Sequence, residues 1–187
     1  MDIYLIRHTQ TDTVKGLCYG RTDVALAPSF NVDVEQVKQK LSEPLFNCQV
    51  FSSPLTRCKL LAERLSSHHV MDDRLLELDF GAWENCRFED LDGDAVQRWT
   101  ESFVHSSPPS GESFSDLCSR AADFWQELIT LPVKQAVVVT HAGVIRALLA
   151  HILQLPLANA FQFKVDPGSI HKLQHVSNFT HIHYLNH

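Results

Sequence analysis

The chain has 187 residues, 44% of them hydrophobic and 20% charged, and carries a formal net charge of −6. That length holds a full core, so one domain over residues 1–187 of soluble globular composition is expected. Acids and bases mixed along an acidic chain argue against a nucleic-acid binder, and neither a membrane span nor a signal peptide is seen.

The first element is an apolar run at residues 2–6 that leads straight into Arg7-His8-Thr9, and residues 2–7 read as a buried strand. Residues 8–30 read as a loop, with Gly16, Gly20 and Pro28 as turn residues. The stripe Val34, Val37 and Leu41 predicts a helix over 31–43. Residues 48–52 form a short strand. Ser53-Pro54 then resembles an N-cap with proline at the first helical position. The helix it opens carries Leu55, Leu61 and Leu65, and places Arg57 in its first turns. Residues 70–80 read as extended or irregular. The polar stretch 84–112, with Gly93, Gly111 and Pro108-Pro109, reads as an excursion over the site with a short helix around 95–103. Ser113 and Asp116 have the spacing of a capping box, and the helix to about 131 turns Leu117, Ala121, Phe124 and Leu128 to the core. A second apolar run, 136–139, ends in Thr140-His141-Ala142-Gly143 and leads into a helix over 143–154. Residues 161–185 read as further strands. Strands alternating with helices predict a mostly parallel sheet covered on both faces.

Two buried strands thus each deliver a histidine at their carboxyl end, where an open α/β sheet binds ligands. The simplest reading is one phosphate pocket holding His8, His141 and arginines. Phosphoryl transfer needs an in-line nucleophile, positive groups around the equatorial oxygens and an acid for the leaving oxygen. A neutral imidazole, held as one tautomer, serves as nucleophile. Arg7 and Arg57 supply planar forks that match phosphate oxygens. His141, if protonated, adds a third cationic donor. Glu77 follows Leu75-Leu76 and precedes Asp79-Phe80-Gly81. A carboxyl there, partly desolvated, is expected to stay protonated long enough to act as general acid. Thr9, Thr11, Tyr19, Gly20, Arg21 and Ala142 are the candidates for holding the substrate, and Arg87 is a further one.

Five cysteines, widely spaced and without a C-x-x-C, predict neither a disulfide framework nor a zinc site, and fit a reducing cytoplasm. His181 and His183 share one face of a strand, and with His187 they raise a metal site. No cysteine or carboxylate joins them locally, so no metal is expected. Trp83, Trp99 and Trp125 read as core.

The motifs in this order resemble the histidine phosphatase superfamily, which includes the cofactor-dependent phosphoglycerate mutases. Arg7-His8-Thr9-Gln10-Thr11 is similar to its R-H-G-E-T signature, and Ser52-Ser53-Pro54-Leu55-Thr56-Arg57-Cys58 to its S-S-x-L-x-R-A segment. Leu76-Glu77-Leu78-Asp79-Phe80-Gly81-Ala82-Trp83-Glu84 resembles L-x-E-x-x-F-G-x-W-E. Pro109-Ser110-Gly111-Glu112-Ser113 matches P-x-G-E-S, and Val139-Thr140-His141-Ala142-Gly143 matches V-T-H-G-G. The resemblance implies a three-layer α/β/α sandwich of the phosphoglycerate mutase type. It implies His8 as the phosphorylated nucleophile, Arg7, Arg57 and His141 around the phosphate, and Glu77 as proton donor. It implies no metal and no cofactor, and a small-molecule phosphomonoester as the partner.

Gly16-Leu17-Cys18-Tyr19-Gly20-Arg21-Thr22-Asp23, the short excursion after Trp83, and Phe163-Lys164-Val165-Asp166-Pro167-Gly168-Ser169 resemble the α-ribazole-5′-phosphate phosphatase subgroup, which acts in cobalamin nucleotide-loop assembly. Leu78-Asp79-Phe80-Gly81 departs from the R-H-Y-G of the mutases, which speaks for hydrolysis. Thr9 replaces the usual glycine after the nucleophile, Val14 stands where relatives often have a phosphate-holding asparagine, and Asn85 replaces a glycine after Trp83-Glu84. Two other readings stay open. One is a broader phosphatase for sugar phosphates or nucleotides. The other is a phosphate-binding or phosphohistidine signalling protein without turnover, against which Glu77 speaks.

Overall fold

The computed structural model describes residues 1–41 and 48–187. In chain order the elements are β1 (Asp2–Arg7), α1 (Phe30–Lys40), β2 (Cys48–Ser52), α2 (Thr56–Leu65), β3 (Val70–Met71), α3 (Gly93–Ser102), α4 (Phe114–Leu128), β4 (Gln135–Thr140), α5 (Ala142–Ile152), β5 (Ile170–Val176) and β6 (Phe179–Tyr184). Short 3-10 turns lie at Asp73–Leu75, Gly81–Trp83, Phe88–Asp90 and Leu157–Gln162.

Layering follows from the alternation of side chains along a strand. In β1, Ile3 and Leu5 join an apolar cluster with residues of α4 and α5, including Leu117, Phe124 and Leu148. Tyr4 and Ile6 point the other way, into a cluster with Val34 and Val37 of α1 and Leu61 of α2. Strand β4 divides likewise, with Ala136 and Val138 on the first face and Val137 and Val139 on the second. A strand buried on both faces reads as a continuous apolar run. The result is a three-layer α/β/α sandwich, as expected.

Sheet order is β3-β2-β4-β1-β5-β6. The pairs β1·β4, β2·β4 and β2·β3 are parallel, whereas β1·β5 and β5·β6 are antiparallel. The sheet is therefore mostly parallel with one antiparallel edge. That edge is a hairpin, because only two residues separate β5 from β6 and a parallel return needs a long crossover. Of the residues expected as strand from 161, residues 161–162 belong to the turn Leu157–Gln162 and 163–169 form an irregular connection, so the first strand there begins only at Ile170.

Other boundaries shift by local chemistry. Helix α1 begins one residue early at Phe30, and residues 42–43 of the expected helix lie outside the described residues. Ser53-Pro54 does not open α2, whose N-cap is Leu55. The Ser53 hydroxyl faces His141 instead, and the helix start is capped from elsewhere: Asp23 Oδ1 accepts the Thr56 N–H at 3.0 Å. The capping box of Ser113 and Asp116 is present at α4 as expected. Asn85 sits at φ 64°, the left-handed region that favours glycine and that asparagine tolerates. Among the described residues no helix is long and apolar enough to cross a membrane.

Candidate active site

Strands β1 and β4 are neighbours in parallel register, with Arg7 opposite Thr140. The next residue of each therefore emerges beside the other at the carboxyl edge of the sheet. The His8 N–H donates to the Thr140 carbonyl at 3.0 Å, and the His8 and His141 rings meet edge-on with centroids 5.2 Å apart. His8 is 3% exposed, and Thr9, Arg57 and His141 are fully buried.

The hydrogen bonds select a tautomer for each ring. His8 Nδ1 lies 2.8 Å from the Thr9 carbonyl. A carbonyl only accepts, so Nδ1 carries the proton and Nε2 keeps its lone pair. Burial, with Arg57 and Arg7 close by, pushes the His8 pKa down to about 3. The ring is thus a neutral base at physiological pH.

His141 is arranged the opposite way. Arg57 Nε donates to His141 Nδ1 at 3.2 Å, and a guanidinium only donates, so the proton sits on Nε2. That Nε2–H donates to Ser53 Oγ at 2.8 Å. Burial and the Arg57 charge hold the His141 pKa well below the ordinary imidazole value. The expected third cation is therefore a neutral N–H donor, because a proton here would sit beside Arg57 without solvent.

Arg57, in the first turn of α2, is aimed by three acceptors. Besides His141, its NH1 donates to the Thr22 carbonyl at 2.8 Å and its NH2 to the Gly20 carbonyl. The Tyr19 ring lies 5.4 Å from the guanidinium carbon. Arg7, the last residue of β1, donates from NH1 to the Val165 carbonyl at 2.7 Å. Arg7 Nε and Thr9 Oγ1 are buried without a hydrogen-bond partner among the described residues. Buried donors left open in this way mark a place built for an acceptor.

Glu77 approaches from the segment after the turn Asp73–Leu75. Its Oε2 accepts the Gly143 N–H at 3.0 Å, and Oε1 accepts the Leu78 N–H at 3.0 Å. Arg120 of α4 holds the same backbone: NH1 donates to the Arg74 and Leu76 carbonyls, NH2 to the Glu77 carbonyl. Arg120 is itself paired with Glu112 at 2.7 Å. Glu112 lies within the P-x-G-E-S match, whereas no motif points to Arg120. The i,i+8 spacing of the two was the available signal, and it is a weak one.

The remaining candidates divide. Thr11 is committed to Thr13 and Tyr19 through its hydroxyl. Arg21 is paired with Asp79 at 3.4 Å and Glu112 at 3.5 Å. Ala142 opens α5 directly after His141, so the positive end of that helix meets the pocket. Arg87 pairs with Glu89 on the surface, and Val14 is 63% exposed. His181 is an exposed residue of β6. Among the described residues no group of three or more His, Cys, Asp or Glu is placed to hold a metal. A cavity of about 970 Å³ lies elsewhere, between the end of α5 and the β5–β6 hairpin, and shares none of these residues.

Comparison with known proteins bears on this geometry. The chain is 26% identical over 196 residues to the adenosylcobalamin/alpha-ribazole phosphatase of Salmonella typhimurium, covering 100% of this chain and 96% of that protein. It is 30% identical over 176 residues to the glucosyl-3-phosphoglycerate phosphatase of Mycobacterium tuberculosis, covering 84% of this chain and 77% of that protein. The crystal structure of the alpha-ribazole phosphatase from Shigella flexneri superposes with a TM-score of 0.92 at 26% identity, covering 100% of this chain and 96% of that one. The family model for the histidine phosphatase superfamily (branch 1) matches residues 3–187. A family model that spans nearly the whole chain therefore shows that the protein belongs to the histidine phosphatase superfamily, and it is a phosphatase.

Proposed function

We propose that this phosphatase hydrolyses a phosphomonoester through a phosphohistidine on His8. The observation that carries the reading is the proton-free Nε2 of a neutral, buried His8 beside Arg7 and Arg57. Nε2 attacks phosphorus, and the bond from phosphorus to the leaving oxygen breaks. Glu77 gives that oxygen its proton. Water then attacks the phosphohistidine and returns a proton to Glu77, the P–N bond breaks and inorganic phosphate departs. Arg7 and Arg57 stabilise the equatorial oxygens, helped by the positive end of α5, while His141, whose Nε2–H is held by Ser53, orients Arg57 through Nδ1. Thr9 and Ala142 border the phosphate, and no metal takes part.

The substrate we assign is α-ribazole 5′-phosphate, the product of whose hydrolysis enters cobalamin nucleotide-loop assembly. The Tyr19–Asp23 and Phe163–Ser169 segments and the named Salmonella and Shigella relatives support it. A broader sugar-phosphate phosphatase is the second reading, favoured by the mycobacterial relative, which is named for a different substrate. The chain forms one domain over 1–187. Within it we read 84–112 as an excursion over the site, a reading supported by Trp99, whose ring meets Phe80 at 6.0 Å and Trp83 at 5.7 Å in the segment that follows Glu77. The cysteines Cys18, Cys48, Cys58, Cys86 and Cys118 are free, which fits a reducing cytoplasm.

Rapid quench without acid, followed by mass spectrometry, is expected to find the phosphoryl group on His8. A label on another residue, or full activity of His8→Ala, overturns the mechanism. A panel of phosphomonoesters compared by kcat/KM tests the substrate. α-Ribazole 5′-phosphate is expected to exceed 3-phosphoglycerate and simple sugar phosphates, and a flat panel selects the second reading.

A further inference from the structure

The carboxylate of Glu84 has no part in the chemistry described so far, yet it is the most heavily bonded acid near the pocket. It accepts four backbone N–H groups: Gly20, Arg21 and Phe80 at 3.0 Å and Thr22 at 3.1 Å. It also accepts the Thr22 hydroxyl. Burial alone would raise its pKa, but the bonds from Thr22, Gly20, Phe80 and Arg21 bring it below the ordinary carboxylate value.

The same short segment faces Arg57 with its other side. Gly20 and Thr22 give their N–H groups to Glu84 and their carbonyls to the two terminal nitrogens of Arg57. The Gly20–Arg21 peptide bridges the two charges directly: its N–H, on Arg21, donates to Glu84 and its carbonyl, on Gly20, accepts from Arg57, so each charge polarises the bond that holds the other. A guanidinium has five N–H groups. Three are used on Gly20, Thr22 and His141, which leaves one on each terminal nitrogen, a two-pronged donor. Gly20 must be a glycine, since a Cβ there would lie 1.7 Å from the Leu78 carbonyl oxygen.

We infer that Glu84 is a positioning residue for phosphoryl transfer: it clamps residues 20–22 so that their carbonyls fix the aim of Arg57, and through Arg57 the tautomer of His141. The inference rests on the reading of Arg57 as a phosphate ligand. It also gives the Tyr19–Asp23 segment a use inside the phosphate site. Gly20 and Thr22 are backbone acceptors for Arg57, and Asp23 caps the helix that carries it.

A double-mutant cycle with a vanadate readout tests this. Vanadate reports the pocket's grip on a transition-state-like anion, which a loop serving only stability would not change. Glu84→Gln keeps the size but sets an amide NH₂ against backbone donors. It is expected to lower kcat by about 10–10² with KM changed less than threefold, and to weaken vanadate inhibition by the same factor. In an Arg57→Lys background the same change is expected to cost less than threefold, because two residues acting as one unit are not additive. Thr22→Val, which removes the hydroxyl's contacts with Glu84 and Asn85 and keeps the backbone ones, is a milder companion that keeps the test open should Glu84→Gln fold poorly, and it follows the same non-additive pattern. Equal losses in both backgrounds, or unchanged vanadate inhibition in both variants, overturn the clamp. Full activity of Arg57→Lys alone overturns the reading of the pocket itself.

Discussion

The Gly143 N–H donates to Glu77 Oε2 at 3.0 Å, and this contact ties the proposed proton donor to the helix that follows His141. The approach is so close that a Cβ at Gly143 would lie 2.2 Å from Glu77 Oε1. Glycine here is a condition for the acid to reach the pocket. Gly143→Ala is therefore expected to push the carboxylate aside. A misplacement of about 1 Å costs on the order of 10² in rate, and kcat on an alkyl phosphate should fall on that scale. Alanine suits a helix better than glycine, so the melting temperature should hold or rise. An unchanged kcat would show that Glu77 need not stand where it does.

Much of this site was legible because its residues sit where periodic elements end. The apolar runs at 2–6 and 136–139 announced two strands, and the residue after each is a histidine. Parallel pairing of β1 with β4 then brings His8 beside His141 without further information. The supports of the site were not legible, since they come from segments remote in sequence. Arg57 is aimed by carbonyls of Gly20 and Thr22, and those peptides are gripped by Glu84 more than sixty residues on. Arg21 looked like a substrate contact and is paired with Asp79 and Glu112. Ser53 looked like a helix cap and accepts from His141. In each case local spacing offered a plausible partner, and tertiary geometry supplied another.

The capping of α2 gives a stability prediction. Asp23 accepts from both the N–H and the hydroxyl of Thr56, in place of a cap from the preceding residue. Asp23→Ala is expected to cost roughly 0.5–2 kcal/mol, as for other lost caps. At about 2–4 °C per kcal/mol for a chain of this size, thermal melting reads it directly. Because α2 carries Arg57 in its first turn, kcat should fall as well. A melting temperature equal to the parent's would leave Asp23 as a surface residue.

The buried imidazoles give a pH prediction. Burial depresses the pKa of His171 to about 4 and, with Arg57 and Arg7, that of His8 to about 3. His141 lies well below its ordinary value for the same reasons, burial first. In the unfolded chain all three titrate near 6.5. Above about pH 6.5 both states are neutral at these rings and their contribution to stability is complete. As pH falls below that, the unfolded chain takes up protons that the folded chain refuses, so stability declines toward pH 4. Urea unfolding at a series of pH values should show this slope, and His8→Asn should make it shallower by up to one proton. A slope of opposite sign, or one identical in His8→Asn, would contradict a neutral buried His8.

The acid can be separated from the rest of the pocket by the leaving group. An alkoxide departs poorly without a proton, whereas a nitrophenolate hardly needs one. If Glu77 protonates the leaving oxygen, Glu77→Gln should lower kcat on a ribosyl phosphate by about 10²–10⁴, the range of general-acid catalysis, and spare an activated aryl phosphate. The glutamine oxygen still accepts the Gly143 N–H while its NH₂ replaces the acceptor of the Leu78 N–H, a change common to both substrates, so a loss confined to the ribosyl phosphate is one of proton supply. Arg57→Lys is the contrasting case. It keeps the charge but loses the fork, and it should cost about 10²–10³ on both substrates, since the transferring phosphoryl group is common to them. Measured side by side, the two variants should give different patterns: selective loss for Glu77, uniform loss for Arg57. Equal losses on both leaving groups in Glu77→Gln would remove Glu77 as the acid and leave it the role of anchoring the first turn of α5.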